Sequence, residues 1–118
     1  MNGTLWITGV AGFSGRHLAD YIASRSSRPR VVGIDVCDAP SLPLDAYHRL
    51  DLCDAVAVAI AARGARPTWV IHLAGVPPAA SAGDLWRGHV GATLGLATGL
   101  IRAGCRQTRL LSIGSAAE

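Results

Sequence analysis

The sequence contains no lysine, and several other residue types are scarce. All 11 basic residues are arginines, and with 8 acidic residues they give a formal net charge of +3. Aromatic residues make up 5% and charged residues 16% of the 118 residues, whereas half of the chain is hydrophobic. So little charge and so much apolar character exclude an intrinsically disordered chain. The length is that of one domain, which can bury roughly two thirds of its unfolded surface.

The arginines are spread along the chain and form no basic stripe. Only Arg25, Arg28 and Arg30 lie close together, in a segment with serine and proline that is typical of a solvated loop. Nucleic-acid binding requires a surface that neutralises several phosphates, and aromatic residues if single-stranded bases are to stack. The sequence shows neither feature, so we expect no nucleic-acid partner.

Cysteines and long hydrophobic runs are also lacking. The three cysteines are widely spaced without a CxxC pair, and the histidines lack metal-ligand spacing, so we expect neither disulfides nor a metal site. The longest uncharged apolar stretch, 90–101, is too short to span a bilayer and contains three glycines. The amino terminus lacks the basic start of a signal peptide. We therefore expect a cytoplasmic protein without a membrane segment.

Short apolar segments alternate with helical patterns along the chain. Strands are predicted at 4–8, 30–35, 47–50, 68–73 and 109–113, and helices at 13–26, from Asp51 or Asp54 to 64, and at about 84–103. Continuous apolar strands between helices are typical of a parallel sheet covered on both faces. We therefore predict a single α/β domain over 1–118, a Rossmann-like doubly wound parallel sheet of about five strands with helices on both faces.

A glycine-rich turn joins the first predicted strand to the first predicted helix. Residues 8–15 read TGVAGFSG, with glycines at positions 9, 12 and 15. A pyrophosphate needs backbone N–H groups at a helix amino terminus and no side chains that block its approach. A P-loop is excluded because Arg16 stands where that motif requires Lys. The context predicts a dinucleotide-binding turn, with an ordinary strand–helix turn as the alternative.

An acidic residue ends the second predicted strand. Asp35 lies 20 residues beyond Gly15, where a carboxylate can accept hydrogen bonds from an adenosine ribose diol. The same carboxylate would repel a 2′-phosphate, so the sequence favours NAD over NADP. Asp38 and Arg30 nearby keep NADP open, and an aspartate that simply starts a turn is the structural alternative.

Three further segments follow predicted strands in the same way. Asp51-Leu52 follow the third strand, HLAG occupies 72–75 at the end of the fourth, and SIGSAAE occupies 112–118 at the end of the fifth. With the glycine turn they resemble, in order, four motifs of the extended short-chain dehydrogenase/reductases, in the NAD-dependent epimerase/dehydratase family. The resemblance covers nearly the whole chain.

The resemblance implies a site and an activity. It implies an enzyme that transfers hydride between a nucleotide sugar and a nicotinamide cofactor, in which Ser115 orients the reacting oxygen. Asp51 would meet the adenine amino group, and the segment 72–75 would line the ribose and phosphates. The implied cofactor-binding residues are Gly9, Gly12, Phe13, Ser14, Gly15, Asp35, Asp51, Leu52, Leu73, Ala74 and Gly75.

The sequence departs from the family in its catalytic base. The family uses a Tyr-x-x-x-Lys pair, in which the lysine lowers the tyrosine pKa, and this chain has no lysine. We therefore expect that the sequence is truncated before that pair and the substrate-binding part, and that the 118 residues alone are catalytically inactive. The alternatives are a non-catalytic dinucleotide-binding or redox-sensing module, and a fragment with no role of its own.

The long predicted helix at about 84–103 carries an apolar stripe. Val90, Leu94, Ala97 and Ile101 recur at helical spacing, so the stripe either packs in the core or forms a homodimer interface. We expect most of it to be core. His89 stands where the family often has an asparagine, and an ordinary helix residue is the simpler interpretation. His72 is expected to be a buried, hydrogen-bonded histidine rather than a base or a metal ligand.

Overall fold

The computed structural model describes residues 2–75 and 81–113. The described residues form five strands, namely β1 Thr4–Thr8, β2 Arg30–Asp35, β3 Ala46–Arg49, β4 Trp69–His72 and β5 Arg109–Ser112. The helical elements are α1 Phe13–Ala23, α2 Ala55–Ala65, α3 Ala82–Leu85, a π-helical segment Trp86–Gly91 and α4 Ala92–Arg102. None of these helices is long and apolar enough to cross a membrane.

The five strands form one parallel sheet in the order β3-β2-β1-β4-β5. The central strand β1 pairs with β2 on one side and β4 on the other, so that Thr8 is in register with both Ile34 and His72. The carboxyl ends of these three strands therefore meet at one edge of the sheet. The predicted parallel sheet of five strands is confirmed.

Two hydrophobic clusters lie on opposite faces of the sheet. On β1, Leu5 and Ile7 pack with Ala19 of α1, whereas Trp6 packs with Val58 of α2 and Leu96 of α4. Successive strand residues point to opposite faces, so this alternation places α1 on one face and the α2–α4 pair on the other. The prediction of helices on both faces is confirmed.

The predicted core stripe of the long helix is wrong. Leu94 and Ile101 are 62% and 67% exposed, and the face of α4 that is buried consists instead of Ala92, Gly95, Leu96, Gly99 and Leu100. The reason is the close approach of α2: a Cβ atom at Gly99 would lie 2.5 Å from the Val58 side chain. Glycine at position 99 allows this approach, so Gly99 lies inside with Leu96 and Leu100, whereas Leu94 and Ile101 remain outside.

Element boundaries also differ from those predicted. Helix α1 ends at Ala23, three residues before the predicted end. Helix α2 continues past Gly64 to Ala65 and ends there because Arg66 adopts the left-handed conformation. The Asp54 carboxylate caps α2 through the N–H groups of Val56 and Ala57. The long predicted helix begins at Ala82 and is interrupted by the π-helical segment.

Candidate functional site

A groove opens at the carboxyl ends of β1, β2, β3 and β4 and includes the point between β1 and β4. The strand order reverses at this point, and open α/β sheets bind ligands at such positions. The groove has a volume of about 880 Å³. Its described lining residues are Gly9, Ala11, Gly12, Ile34, Asp35, Val36, Cys37, Leu50, Asp51, Leu52, Cys53, Leu73, Ala74, Gly75, Asp84, Arg87, Gly88 and Ala92.

The turn after β1 requires glycine at two positions. Gly9 has a φ of +67°, and a Cβ atom there would lie 2.8 Å from the backbone of Ala74. A Cβ atom at Gly15 would lie 2.5 Å from the Gly9 carbonyl oxygen. The Gly9 N–H donates to the carbonyl of Ile34 over 2.9 Å, which ties the turn to β2. The glycines therefore allow three backbone segments to meet at the floor of the groove.

The amino terminus of α1 faces this turn without a side-chain cap. Gly12 precedes the helix in an extended conformation and caps it with no side-chain hydrogen bond, and no acidic residue lies in the first turn. The first N–H groups of a helix lack intrahelical partners and carry a partial positive charge. Because Gly9 and Gly12 also line the groove, this arrangement fits the pyrophosphate of a dinucleotide.

The Asp35 carboxylate lies beside the glycine turn. Its Oδ2 accepts a hydrogen bond from the Ala11 N–H over 3.0 Å, and its Oδ1 accepts one from the Val36 N–H over 2.8 Å. Both bonds fix the carboxylate at the wall of the groove. Each oxygen retains a lone pair that can accept a further hydrogen bond, so the site can bind a vicinal diol, the arrangement predicted for the adenosine ribose.

A chain of hydrogen bonds joins the ends of β1 and β4. The Thr8 hydroxyl accepts the N–H groups of Leu73 and Ala74 over 3.1 and 3.2 Å, and lies 2.7 Å from Nδ1 of His72. Nε2 of His72 lies 3.0 Å from the Thr93 hydroxyl, which donates to the His89 carbonyl over 2.6 Å. Two acceptor sites of the Thr8 oxygen are occupied, so its proton goes to Nδ1 of His72.

This pattern defines the tautomer of His72. With Nδ1 as acceptor, the ring carries its proton on Nε2 and donates to Thr93, so the imidazole is neutral. Burial lowers the pKa of His72, and the neighbouring His89 lowers that pKa further. His72 is 4% exposed and bonded on both nitrogens, as expected for a buried, hydrogen-bonded histidine. It helps to hold the segment Leu73–Ala74 against the glycine turn.

The opposite wall of the groove is built by the loop after β3 and the π-helical segment. Asp51 Oδ1 accepts the Cys53 N–H over 2.9 Å, and Asp51 Oδ2 accepts a hydrogen bond from the Arg87 guanidinium over 3.2 Å. The Cys53 thiol donates to the Arg87 carbonyl over 3.2 Å. Burial, and secondarily the Asp51 carboxylate, raise the pKa of Cys53, so the thiol keeps the proton that it donates.

The structure brings together most of the predicted cofactor residues. Among residues 2–75 and 81–113, eight of them line the groove: Gly9, Gly12, Asp35, Asp51, Leu52, Leu73, Ala74 and Gly75. Gly15 lies beneath the turn, Ser14 is exposed, and Phe13 is 80% exposed with its ring against His17. Ser115 lies outside the described residues.

Sequence reasoning missed Cys37, Cys53, Asp84 and Arg87 as lining residues. Cys53 directly follows Asp51-Leu52, and that adjacency could have indicated it. Arg87 carries no local signal, because only the fold brings it to Asp51, 36 residues earlier. Within the described ranges, no group of three or more His, Cys, Asp or Glu residues could hold a metal ion.

The chain was compared with models of protein families and with curated protein sequences. The model of the NAD-dependent epimerase/dehydratase family matches residues 5–118. No curated protein sequence matches the chain.

Solved structures share the fold at low sequence identity. Uronate dehydrogenase from Agrobacterium tumefaciens is 22% identical with a TM-score of 0.79, over 97% of this chain and 41% of its own length. The Bordetella bronchiseptica enzyme WbmG, in complex with NAD, is 22% identical with a TM-score of 0.79, over 98% of this chain and 38% of its own length. UDP-glucose 4-epimerase from Stenotrophomonas maltophila, with NAD and formylated UDP-arabinopyranose bound, is 18% identical with a TM-score of 0.76. The match covers 98% of this chain and 38% of the epimerase. The chain thus spans about two fifths of the length of these proteins.

Proposed function

The chain belongs to the NAD-dependent epimerase/dehydratase family, and from this we propose that it is the NAD-binding portion of an oxidoreductase that acts on a nucleotide sugar. The observation that carries the proposal is the juxtaposition of an uncapped helix terminus, a glycine turn and the Asp35 carboxylate in one groove. The first two provide a pyrophosphate site and the third a ribose site.

Each part of NAD has a matching part of the groove. The pyrophosphate binds at the turn of Gly9 and Gly12, with Phe13 and Ser14 at the start of α1 and Gly15 as the packing position beneath. Asp35 accepts the hydroxyls of the adenosine ribose. The adenine lies against Asp51 and Leu52, and the segment Leu73–Gly75 borders the nicotinamide half. NADP binds less well because Asp35 repels its 2′-phosphate.

The reaction follows from the family resemblance. Bound NAD supplies a nicotinamide ring that accepts or returns hydride, and we assign to Ser115 the hydrogen bond that orients the hydroxyl or carbonyl of the substrate. The Tyr-x-x-x-Lys pair that serves as the base in the family has no counterpart in a chain without lysine. We therefore propose that the 118 residues alone bind NAD without turnover. A nucleotide sugar as substrate is supported by the UDP-sugar bound to the related epimerase.

The outer face of α2 and α4 is proposed as a homodimer interface. Val56 and Ile60 of α2 and Leu94 and Ile101 of α4 are exposed apolar residues on two helices that pack together. Exposed apolar residues on adjoining helices favour an interaction surface. Light scattering after size exclusion should give a dimer mass for the wild type and a monomer mass for Leu94→Asp. A monomeric wild type would contradict the interface.

The test of NAD binding is a titration of the purified chain. Calorimetry and thermal melting with NAD and NADP should show tighter binding of NAD, with a stabilisation of about 2.7 kcal/mol at a hundredfold excess over Kd. Asp35→Asn should weaken NAD binding about tenfold, because it removes a charge-assisted acceptor for the ribose diol. Asp20→Asn, on an exposed turn of α1, is the matched control and should bind as the wild type does. Absence of any shift at millimolar NAD would contradict the proposal.

A further inference from the structure

The groove has no aromatic residue among its described lining positions, and one planar side chain among them stands out. A purine in a protein site is usually held by a flat group on its face, and base–aromatic stacking is sequence-tolerant because each base presents a π-face. Along the described lining, the walls near Asp51 are aliphatic apart from Cys37, Cys53 and charged residues. The guanidinium of Arg87 is the planar group there, and such groups stack on aromatic rings.

The backbone of Arg87 is fixed at this position by an unusual helix geometry. Arg87 lies in the π-helical segment Trp86–Gly91, and π-helical turns within helices are frequently found at functional sites. The Cys53 thiol donates to the Arg87 carbonyl. A Cβ atom at Gly91 would lie 3.1 Å from the sulfur of Cys53, so the segment also packs closely on the loop after β3. The wide turn is thus tied to the loop that carries Asp51.

The side chain of Arg87 is held at the same place by its charge. The guanidinium donates to Asp51 Oδ2 over 3.2 Å, while 67% of the Arg87 side chain and 51% of the Asp51 side chain remain exposed. An ion pair this exposed contributes little to stability. Its consequence is orientation, because Asp51 occupies one edge of the guanidinium while most of the Arg87 side chain stays exposed. Asp51 keeps lone pairs for a further donor.

We propose that Arg87 stacks its guanidinium plane on the adenine of the bound dinucleotide, with Asp51 as the residue that orients it. The inference rests on the proposed function, since it assumes that the adenosine half lies between Asp35 and Asp51. The contact is cation–π and stacking in character, and therefore depends on the shape of the arginine head as well as on its charge.

The experiment separates adenosine binding from nicotinamide binding. Kd values for ADP-ribose and for nicotinamide mononucleotide are measured by calorimetry on the wild type, Arg87→Ala, Arg87→Lys and the exposed control Arg106→Ala. Stacking on one base corresponds to at least about a fivefold effect. We expect Arg87→Ala and Arg87→Lys both to weaken ADP-ribose by that factor, with nicotinamide mononucleotide unchanged and Arg106→Ala like the wild type.

Each other outcome overturns a specific statement. Wild-type affinity of Arg87→Lys for ADP-ribose would show that charge suffices and would refute stacking, and so would wild-type affinity of Arg87→Ala. An equal loss for nicotinamide mononucleotide would show a general change of the groove. If ADP-ribose does not bind the wild type, the proposed function itself fails.

A second measurement does not depend on variants that fold. Phenylglyoxal modification of the wild type, followed by mass spectrometry, reports how accessible each arginine is. ADP-ribose should protect Arg87 from modification and leave Arg106 reactive, while nicotinamide mononucleotide should protect neither. Equal modification of Arg87 with and without ADP-ribose, under conditions where calorimetry shows binding, would overturn the stacking contact.

Discussion

The two walls of the groove are built in different ways. The wall formed by the glycine turn consists of backbone segments in direct contact, from Gly9 to Ile34 and Ala74, with the buried Thr8 and His72 behind it. The wall formed by the π-helical segment is held by side chains, namely the exposed Arg87–Asp51 ion pair and the half-buried Cys53 thiol. Disruption of the first wall should therefore unfold the site, and disruption of the second should change only what it binds.

The largest effect should come from Gly9→Ala. The left-handed conformation costs a non-glycine residue roughly 1–2 kcal/mol, and the clash with Ala74 adds about 1–3 kcal/mol, so the free energy of unfolding should fall by about 3 kcal/mol. Urea denaturation measures this change in the free energy of unfolding. Gly104→Ala, with a φ of +76° but nothing within 4 Å, should lose only the conformational part.

A second control for Gly9→Ala should change the free energy of unfolding in the opposite direction. A Cβ atom at Gly64 within α2 would meet nothing within 4 Å, so Gly64→Ala should stabilise the chain by up to about 1 kcal/mol. Equal stability of Gly9→Ala and Gly64→Ala would disprove the direct backbone contact at the first wall.

The next effect should come from removal of the Thr8 hydroxyl. Thr8→Val leaves the Ala74 N–H and Nδ1 of His72 without their partner, which should cost about 2 kcal/mol. Thr8→Ser keeps the hydroxyl and should lose about half as much or less. The same urea denaturation curves measure both, and a Thr8→Val as stable as Thr8→Ser would show that the hydroxyl does not hold the wall.

A smaller effect should appear as a dependence of stability on pH. Because burial lowers the pKa of His72 in the folded state, the unfolded chain takes up a proton first as the pH falls below about 6.5, the ordinary value. Stability should therefore be unaffected by this group above that pH and decrease below it, by at most about 1.4 kcal/mol per pH unit.

The pH dependence has its own control. Urea midpoints between pH 5 and 8 should show the loss in the wild type and a shallower loss in His72→Gln. His17→Gln, at an exposed position of α1, should keep the wild-type slope. An identical slope for His72→Gln and the wild type would mean that another group is responsible.

The smallest effect should come from the second wall. Asp51→Asn weakens an exposed ion pair, so the free energy of unfolding should change by no more than about 0.5 kcal/mol. Binding of ADP-ribose should weaken in the same variant, because Arg87 loses its orientation. A loss of stability comparable to that of Gly9→Ala would remove the contrast between the two walls.

The same contrast explains what could be predicted from the sequence. The glycine turn and Asp35 depend on neighbours in the chain and on strand order, so local motifs and hydrophobic periodicity were enough to find them. The face of α4 was mispredicted because hydrophobicity favoured Leu94 and Ile101, whereas the close approach to α2 places Gly99 inside. The Arg87–Asp51 pair has no sequence signal, since it depends on the π-helical segment, which periodicity does not reveal.

The central position of β1 has a consequence for how the chain folds. In the chain, β4, the partner of β1 on one side, follows β1 by about 64 residues. At a synthesis rate of about 5–20 residues per second, that edge stays unpaired for several seconds. An apolar strand with an open edge is prone to aggregate, and pairings of such long range slow folding. The yield of soluble chain should therefore depend on the conditions of its synthesis.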